Sequence, residues 1–80
     1  MDNQNYLDIK IYELDISVRA CNVLIRNGYK TVGDILKFKS KEEILSMHYF
    51  SRSCGAEVAE ELKKLDVPDN VWYEFLVKTT

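Results

Sequence analysis

The side chains of this sequence best suited to bind an anion form a short polar face on one helix. Arg19, Asn22 and Arg26 recur at spacings of three and four residues. At about 100° per residue they fall within roughly 60° of one another. Guanidinium and carboxamide groups donate hydrogen bonds to phosphate oxygens and base edges, so the pattern fits a nucleic-acid contact. The alternative is an ordinary solvated helix face, on which the same side chains are common.

Capping signals on both sides of this face indicate how the chain positions it. Ser17 is a typical N-cap and Gly28 a typical residue just beyond a helix end, which predicts a first helix from Val18 to about Asn27. The face opposite the polar side chains is expected to pack into the core. Its side chains are Val18, Cys21, Leu24 and Ile25.

Three further short helices are expected downstream. The second runs from Thr31 to about Phe38. Ser40 followed by Glu43 predicts a capping box at the start of the third, and Ser51 can cap a fourth that ends near Leu65. The side chains that these last two helices should bury are Ile44, Leu45, Met47, Val58, Leu62 and Leu65.

The two ends of the sequence have weaker patterns. Residues 6–14 alternate apolar and polar side chains, which predicts an extended segment lying on the core. After Pro68, an aromatic run is expected to form a last short helix capped by Asp69 or Asn70, with an extended segment as the alternative.

Composition excludes several function classes. The two cysteines stand alone and His48 is the one histidine, which argues against a zinc site or a disulfide framework. We expect no catalytic residues, no cofactor and no small-molecule substrate, because no nucleophile–base pair or phosphate loop is present. No apolar run is long enough to span a membrane, and the N-terminus lacks a signal peptide, so a cytoplasmic protein is expected. The net charge of −2 requires any DNA contact to come from a local patch.

The stretch from Leu14 to Leu36 carries a resemblance to a known family. The residues that fit the family's pattern in register are Leu14, Ser17, Val18, Arg19, Asn22, Leu24, Gly28, Thr31, Val32, Gly33 and Asp34. On these residues the sequence resembles the C-terminal domain of the bacterial RNA polymerase alpha subunit. The similarity implies one all-α domain over residues 1–80, a bundle of four to five short helices with helix-hairpin-helix architecture. Residues 11–65 form its core, 1–10 an N-terminal segment and 66–80 a tail. Because the sequence begins with Met and has 80 residues, we expect a free-standing domain.

The resemblance implies a DNA site with two parts that meet on the A·T-rich minor groove. The first part is Arg19 and Asn22, with Arg26 on the same face. The second is a hairpin turn at the start of the fourth helix, where glycine, lysines and serine of the family hold phosphates. The residues that stand there are Ser51, Arg52, Ser53, Cys54 and, further on, Glu57. The glycine and one lysine are replaced, which should weaken binding to all sequences.

The resemblance also implies a protein-binding surface. Glu13 and Asp15 match acidic positions that face the sigma factor in the family, although acids are equally common on any solvated edge. The leading hypothesis is therefore a non-enzymatic transcription module that docks weakly on DNA and contacts RNA polymerase, sigma factor or a regulator. The alternative is a protein-interaction module on the same fold that has lost DNA binding. In that case the acidic surface and the aromatic side chains Trp72, Tyr73 and Phe75 would bind a partner or a second copy of the chain.

Overall fold

The computed structural model describes residues 5–76, which contain four α-helices and three 3₁₀ helices joined by turns and short irregular segments. The 3₁₀ helices are Asn5–Asp8, Ile11–Glu13 and Val71–Leu76. The α-helices are α1 (Val18–Arg26), α2 (Val32–Ile35), α3 (Lys41–Leu45) and α4 (Arg52–Lys64). The predicted all-α bundle is confirmed. Residues 1–4 of the expected N-terminal segment and residues 77–80 of the tail lie outside the described part.

A serine side chain caps the N-terminus of each of the two longest helices. Ser17 Oγ accepts a hydrogen bond from the Ala20 N–H at 3.1 Å, and Ser51 Oγ accepts one from the Cys54 N–H at 3.3 Å. Each bond satisfies a backbone donor that has no partner within the helix. Gly28 follows α1 with φ 95°, a conformation that side chains disfavour. The predicted bounds of α1 and α4 are therefore confirmed to within a residue.

The two short helices between them also begin at hydroxyl caps. Thr31 and Asp34 form a complete capping box at α2, each side chain accepting from the other's backbone N–H. At α3, Ser40 Oγ accepts from Glu43 N–H at 3.0 Å, but the Glu43 carboxylate accepts from Lys39 N–H at 2.7 Å. The predicted capping box at α3 is thus half formed, because the Glu43 carboxylate accepts from Lys39, the residue before the N-cap, instead of from Ser40 itself.

Helix α2 is shorter than predicted. It ends at Ile35, whereas the sequence pattern extended it to about Phe38. The Phe38 ring packs against Tyr29 and edge-on against Trp72, with ring centroids 5.0 and 5.9 Å away. Phe38 is buried although it lies outside the helix. The spacing of apolar residues alone therefore predicted too long a helix.

The segment before α1 is not extended as predicted. Residues 5–8 and 11–13 form 3₁₀ turns, and only the link between them is extended. That link forms an isolated antiparallel bridge, in which Ile11 N–H donates to Lys30 O and Val32 N–H donates to Ile9 O, both at 2.9 Å. Side chains in 3₁₀ turns do not alternate, so Tyr12 lies on the surface while Ile11 and Leu14 are buried.

Helix α1 buries a different face from the predicted one. Its core side chains are Ala20, Val23 and Leu24, whereas Val18 is 75% and Ile25 41% exposed. The expectation that Val18 and Ile25 face the core is therefore wrong. The buried face is rotated by roughly a third of a turn. Apolar side chains nearly surround this helix, so their spacing does not identify the buried face. Ala20 is small and only weakly hydrophobic, and it therefore did not mark the side that packs against the core.

The core lies between α1, α4 and the C-terminal 3₁₀ helix. Trp72 is fully buried, and its ring contacts Phe38, Phe50 and Phe75 with centroid separations of 5.8–6.0 Å. Its Nε1–H donates to Ile35 O at 2.7 Å. Asn70 caps the final turn by accepting from Trp72 N–H at 2.9 Å. The tail is thus helical as predicted, but 3₁₀, and its Trp72 is a core residue rather than an exposed anchor for a partner.

Over residues 5–76, no helix has both the length and the apolar composition that crossing a bilayer requires.

Candidate nucleic-acid interface

A groove of about 440 Å³ separates α1 from the turn between α3 and α4. Arg19, Asn22 and Arg26 form the α1 wall, as the sequence analysis predicted, and all three side chains are exposed. The nearly buried Val23 lies at its base. Since Arg19 and Arg26 are seven residues apart, their Cα atoms are separated by about 10.5 Å along the helix axis. The groove is therefore elongated and carries a guanidinium group toward each end.

The opposite wall consists of two residues that the sequence analysis missed, His48 and Tyr49. Tyr49 is 80% exposed, and its ring meets the His48 ring edge-on with centroids 4.4 Å apart. Its backbone has φ 64°. A His-Tyr pair in the turn before a capped helix is a visible signal in the sequence. The left-handed conformation that presents Tyr49 has no such signal, because bulky residues seldom adopt it.

Asn27 connects the two walls. Its Nδ2–H donates to Val23 O at 2.8 Å within α1 and to His48 O at 3.3 Å across the groove. Its Oδ1 accepts from His48 N–H at 3.4 Å. The carboxamide thus pairs with both backbone groups of His48, as a neighbouring peptide unit would. This link was not predicted, because its partner is 21 residues away in sequence.

The N-terminus of α4 lies two residues beyond Tyr49. Ser51, Arg52 and Ser53 are exposed there, and the Ser51 and Ser53 hydroxyls lie 3.0 Å apart within hydrogen-bonding distance. Cys54 is different, since only 3% of it is exposed and its side chain belongs to the hydrophobic core. The structure therefore removes Cys54 from the candidate contact residues: a buried thiol cannot reach a phosphate group on the surface.

Glu57 makes a contact that was not predicted. Its Oε1 accepts a hydrogen bond from Ser17 N–H at 2.8 Å, and Glu61 Oε2 accepts one from Asp15 N–H at 3.2 Å. Two carboxylates of α4 thus hold the backbone that leads into α1. Negative charge near the N-terminus of α1 also complements its dipole. The bond from Ser17 N–H joins Glu57 to the start of α1, which carries one wall of the groove.

The two acidic residues expected to bind protein lie apart from this groove. Glu13 and Asp15 are exposed just before α1, and the Glu13 carboxylate accepts from Lys10 N–H at 3.2 Å. Tyr12 and Val18 flank them in the sequence and are 69% and 75% exposed. Acidic and apolar side chains are thus both exposed in the segment that leads into α1.

In the described part of the protein, no three His, Cys, Asp or Glu side chains converge in a way that could hold a metal ion. Cys21 and Cys54 are both free thiols.

Comparison with known proteins extends these observations. Residues 1–64 match the profile of the family described as the C-terminal domain of the alpha subunit of bacterial RNA polymerase. The chain is 41% identical over 66 residues to the DNA-directed RNA polymerase subunit alpha of Thermotoga petrophila, a match that covers 79% of this chain and 19% of that protein. It is 42% identical over 59 residues to the same subunit of Aquifex aeolicus, with 74% and 18% covered.

The subunit of Chaetosphaeridium globosum is 37% identical over 67 residues, covering 79% of this chain and 20% of the relative. The chain thus spans about a fifth of the length of the relatives it matches. The family is a non-catalytic domain associated with transcription. Because its profile covers most of the sequence, the protein belongs to the family of C-terminal domains of the bacterial RNA polymerase alpha subunit.

Proposed function

We propose that the domain docks weakly on the minor groove of A·T-rich duplex DNA through the groove between α1 and the α3–α4 turn. Arg19 enters the minor groove, where a narrow A·T tract concentrates negative potential. Asn22 donates to base or sugar atoms, and Arg26 neutralises a phosphate farther along the same helix face. Docking of this kind requires a compartment that contains DNA, and we propose the cytoplasm.

The observation that carries the proposal is the convergence of two elements. The polar face of α1 lies opposite the turn that leads into Ser51, although the two are more than 20 residues apart in sequence. The start of α4 adds the exposed Arg52, the hydroxyls of Ser51 and Ser53, and backbone N–H groups of a 13-residue helix. Free N–H groups at such an end favour phosphate. Arg19 and Arg26 line the groove, and Arg52 adds a third positive charge at the start of α4, on a protein of net charge −2.

We also propose RNA polymerase, the sigma factor or a transcription regulator as protein partners. The family membership supports a polymerase-associated role. Glu13 and Asp15 supply exposed carboxylates outside the DNA groove, so DNA and protein could be bound at once.

Fluorescence anisotropy with labelled A·T-rich and G·C-rich duplexes at low salt tests the DNA proposal. We expect binding of the A·T-rich duplex with a dissociation constant in the weak range of about 10⁻⁴–10⁻⁶ M. The G·C-rich duplex should bind more weakly, because its minor groove is wider and carries the guanine amino group. The absence of binding to either duplex at low salt would contradict the proposal.

A second candidate function is protein binding without DNA. The exposure of Tyr12 and Val18 beside Glu13 and Asp15 favours it, because large exposed apolar groups next to charges are typical of contact surfaces. A pull-down with purified polymerase core and sigma factor tests it. Replacement of both acids by lysine should abolish capture if this surface is used, while DNA binding should be unchanged or stronger.

A further inference from the structure

The turn wall of the groove is not explained by the contacts proposed so far. Tyr49 presents a large ring to solvent in the groove that Arg19 and Asn22 also line. It does so from a backbone with φ 64°, which costs free energy for every residue except glycine. Strain of this kind is concentrated at functional sites, where the surrounding structure maintains it. A ring held out at an energetic cost therefore points to a ligand.

Asn27 holds the backbone directly before Tyr49. Its carboxamide binds the N–H and the C=O of His48, the residue directly before Tyr49. It is itself fixed by its bond to Val23 O and lies at the end of α1. The position of Tyr49 relative to Arg19 is thus set through α1, a regular helix, rather than by the turn alone.

We propose that the Tyr49 ring packs against a deoxyribose of the DNA strand lying in this groove, and that Asn27 is the residue that positions it. The proposal rests on the function proposed above and adds a second wall to the contact surface. Arginines supply attraction to phosphates from the α1 side. The tyrosine adds an apolar surface that excludes water, with a hydroxyl able to donate to a phosphate. It would offset part of the affinity lost with the family's glycine and lysine.

Removal of the ring tests the contact. Tyr49→Gly should lower affinity for the A·T-rich duplex about fivefold. The thermal stability of the Tyr49→Gly variant should be equal to or higher than that of the wild type, because glycine adopts φ 64° without strain. Tyr49→Phe should bind within about twofold of the wild type. Tyr12→Ala removes another exposed tyrosine ring, one outside the groove, and should leave DNA affinity unchanged.

A double-mutant cycle tests the role of Asn27. Asn27→Ala should lower affinity by a similar factor, provided that circular dichroism shows the variant folded at the temperature used. In the Tyr49→Gly background the same change should have little further effect, because the ring that it positions is gone. Full additivity would show that Asn27 acts independently of the ring. Unchanged affinity in Tyr49→Gly, which does not depend on the folding of the Asn27 variant, would overturn the ring contact. Absence of wild-type binding would instead refute the proposed function, and this inference with it.

Discussion

At the residue scale, the two parts of the proposed DNA site should contribute unequally. Arg19 is carried by α1, which is held at its start by Ser17 and Glu57, whereas Arg52 lies at the exposed first position of α4. Arg19→Ala should weaken A·T-rich duplex binding by about 1 kcal/mol or more, the range for one groove contact.

Arg52→Ala should cause a smaller loss of affinity, equal for all DNA sequences. It should also reduce by about 1 the slope of the logarithm of the binding constant against the logarithm of the salt concentration. Titrations of both variants at two salt concentrations on two duplexes provide the measurement. Equal, sequence-independent losses for Arg19 and Arg52 would contradict an arginine inserted into the minor groove.

Asp34 makes a pH-dependent contribution to stability. Backbone N–H groups of Lys30 and Thr31 donate to its carboxylate at 3.0 and 3.2 Å, and these bonds hold its pKa below the ordinary value of 3.8. Because the folded-state pKa is the lower one, the stabilisation is complete above about pH 4. It is lost as the pH falls through the folded-state pKa. Asp34→Asn should therefore lower the melting temperature at pH 7 and reduce the further decrease between pH 4 and 2.5. If the melting temperature of the variant decreased between pH 4 and 2.5 as much as that of the wild type, the Asp34 carboxylate would contribute little to stability.

At the element scale, Leu24 and Ile25 provide a matched test of how α1 is rotated. Leu24 is fully buried, so Leu24→Ala should cost about 2–4 kcal/mol of unfolding free energy. Its neighbour Ile25 is 41% exposed, and Ile25→Ala should cost about 1 kcal/mol or less. Chemical denaturation of both variants measures the difference. Equal losses would mean that α1 is turned toward the face first expected from the sequence.

The helices were predictable because their caps are local. Ser17, Thr31, Ser40 and Ser51 each precede a helix and accept from the N–H three residues on, an arrangement that the sequence alone displays. The rotation of α1 was not predictable, because its apolar residues nearly encircle it and tertiary packing chooses among them. The same limit applies to the site. Arg19, Asn22 and Arg26 share a helix face by periodicity, but the Asn27–His48 link depends on a contact between distant residues.

At the scale of the whole molecule, the folded unit extends beyond the family match. The match ends at residue 64, yet Val67 and Trp72 are buried and the Phe75 ring packs on Gly55 of α4, where the Cβ of any larger residue would lie 2.6 Å from it. We propose one domain that includes the final 3₁₀ helix. The radius of gyration of 11.8 Å fits this, since a single domain of this length should have about 11.6 Å.

Trp72→Ala tests this extension. It removes the ring that joins Phe38, Phe50 and Phe75, and it leaves Ile35 O without its indole donor. A loss of about 3–5 kcal/mol is expected, which is a large part of the stability of so small a domain. Tyr12→Ala, the loss of an exposed ring, should cost far less. A cooperative melting curve unchanged in Trp72→Ala would show that the tail is not part of the core.

We propose that DNA binds in the groove between α1 and the α3–α4 turn. Backbone ¹H–¹⁵N NMR of the whole protein, titrated with an A·T-rich duplex at low salt, tests it most directly because every amide reports its own environment. We predict progressive shifts concentrated at residues 18–27 and 48–53, with residues 57–64 and 71–76 unchanged. The absence of shifts would contradict DNA binding and favour the protein-binding alternative, whereas shifts confined to residues 12–15 would contradict the proposed groove by placing the DNA on another surface.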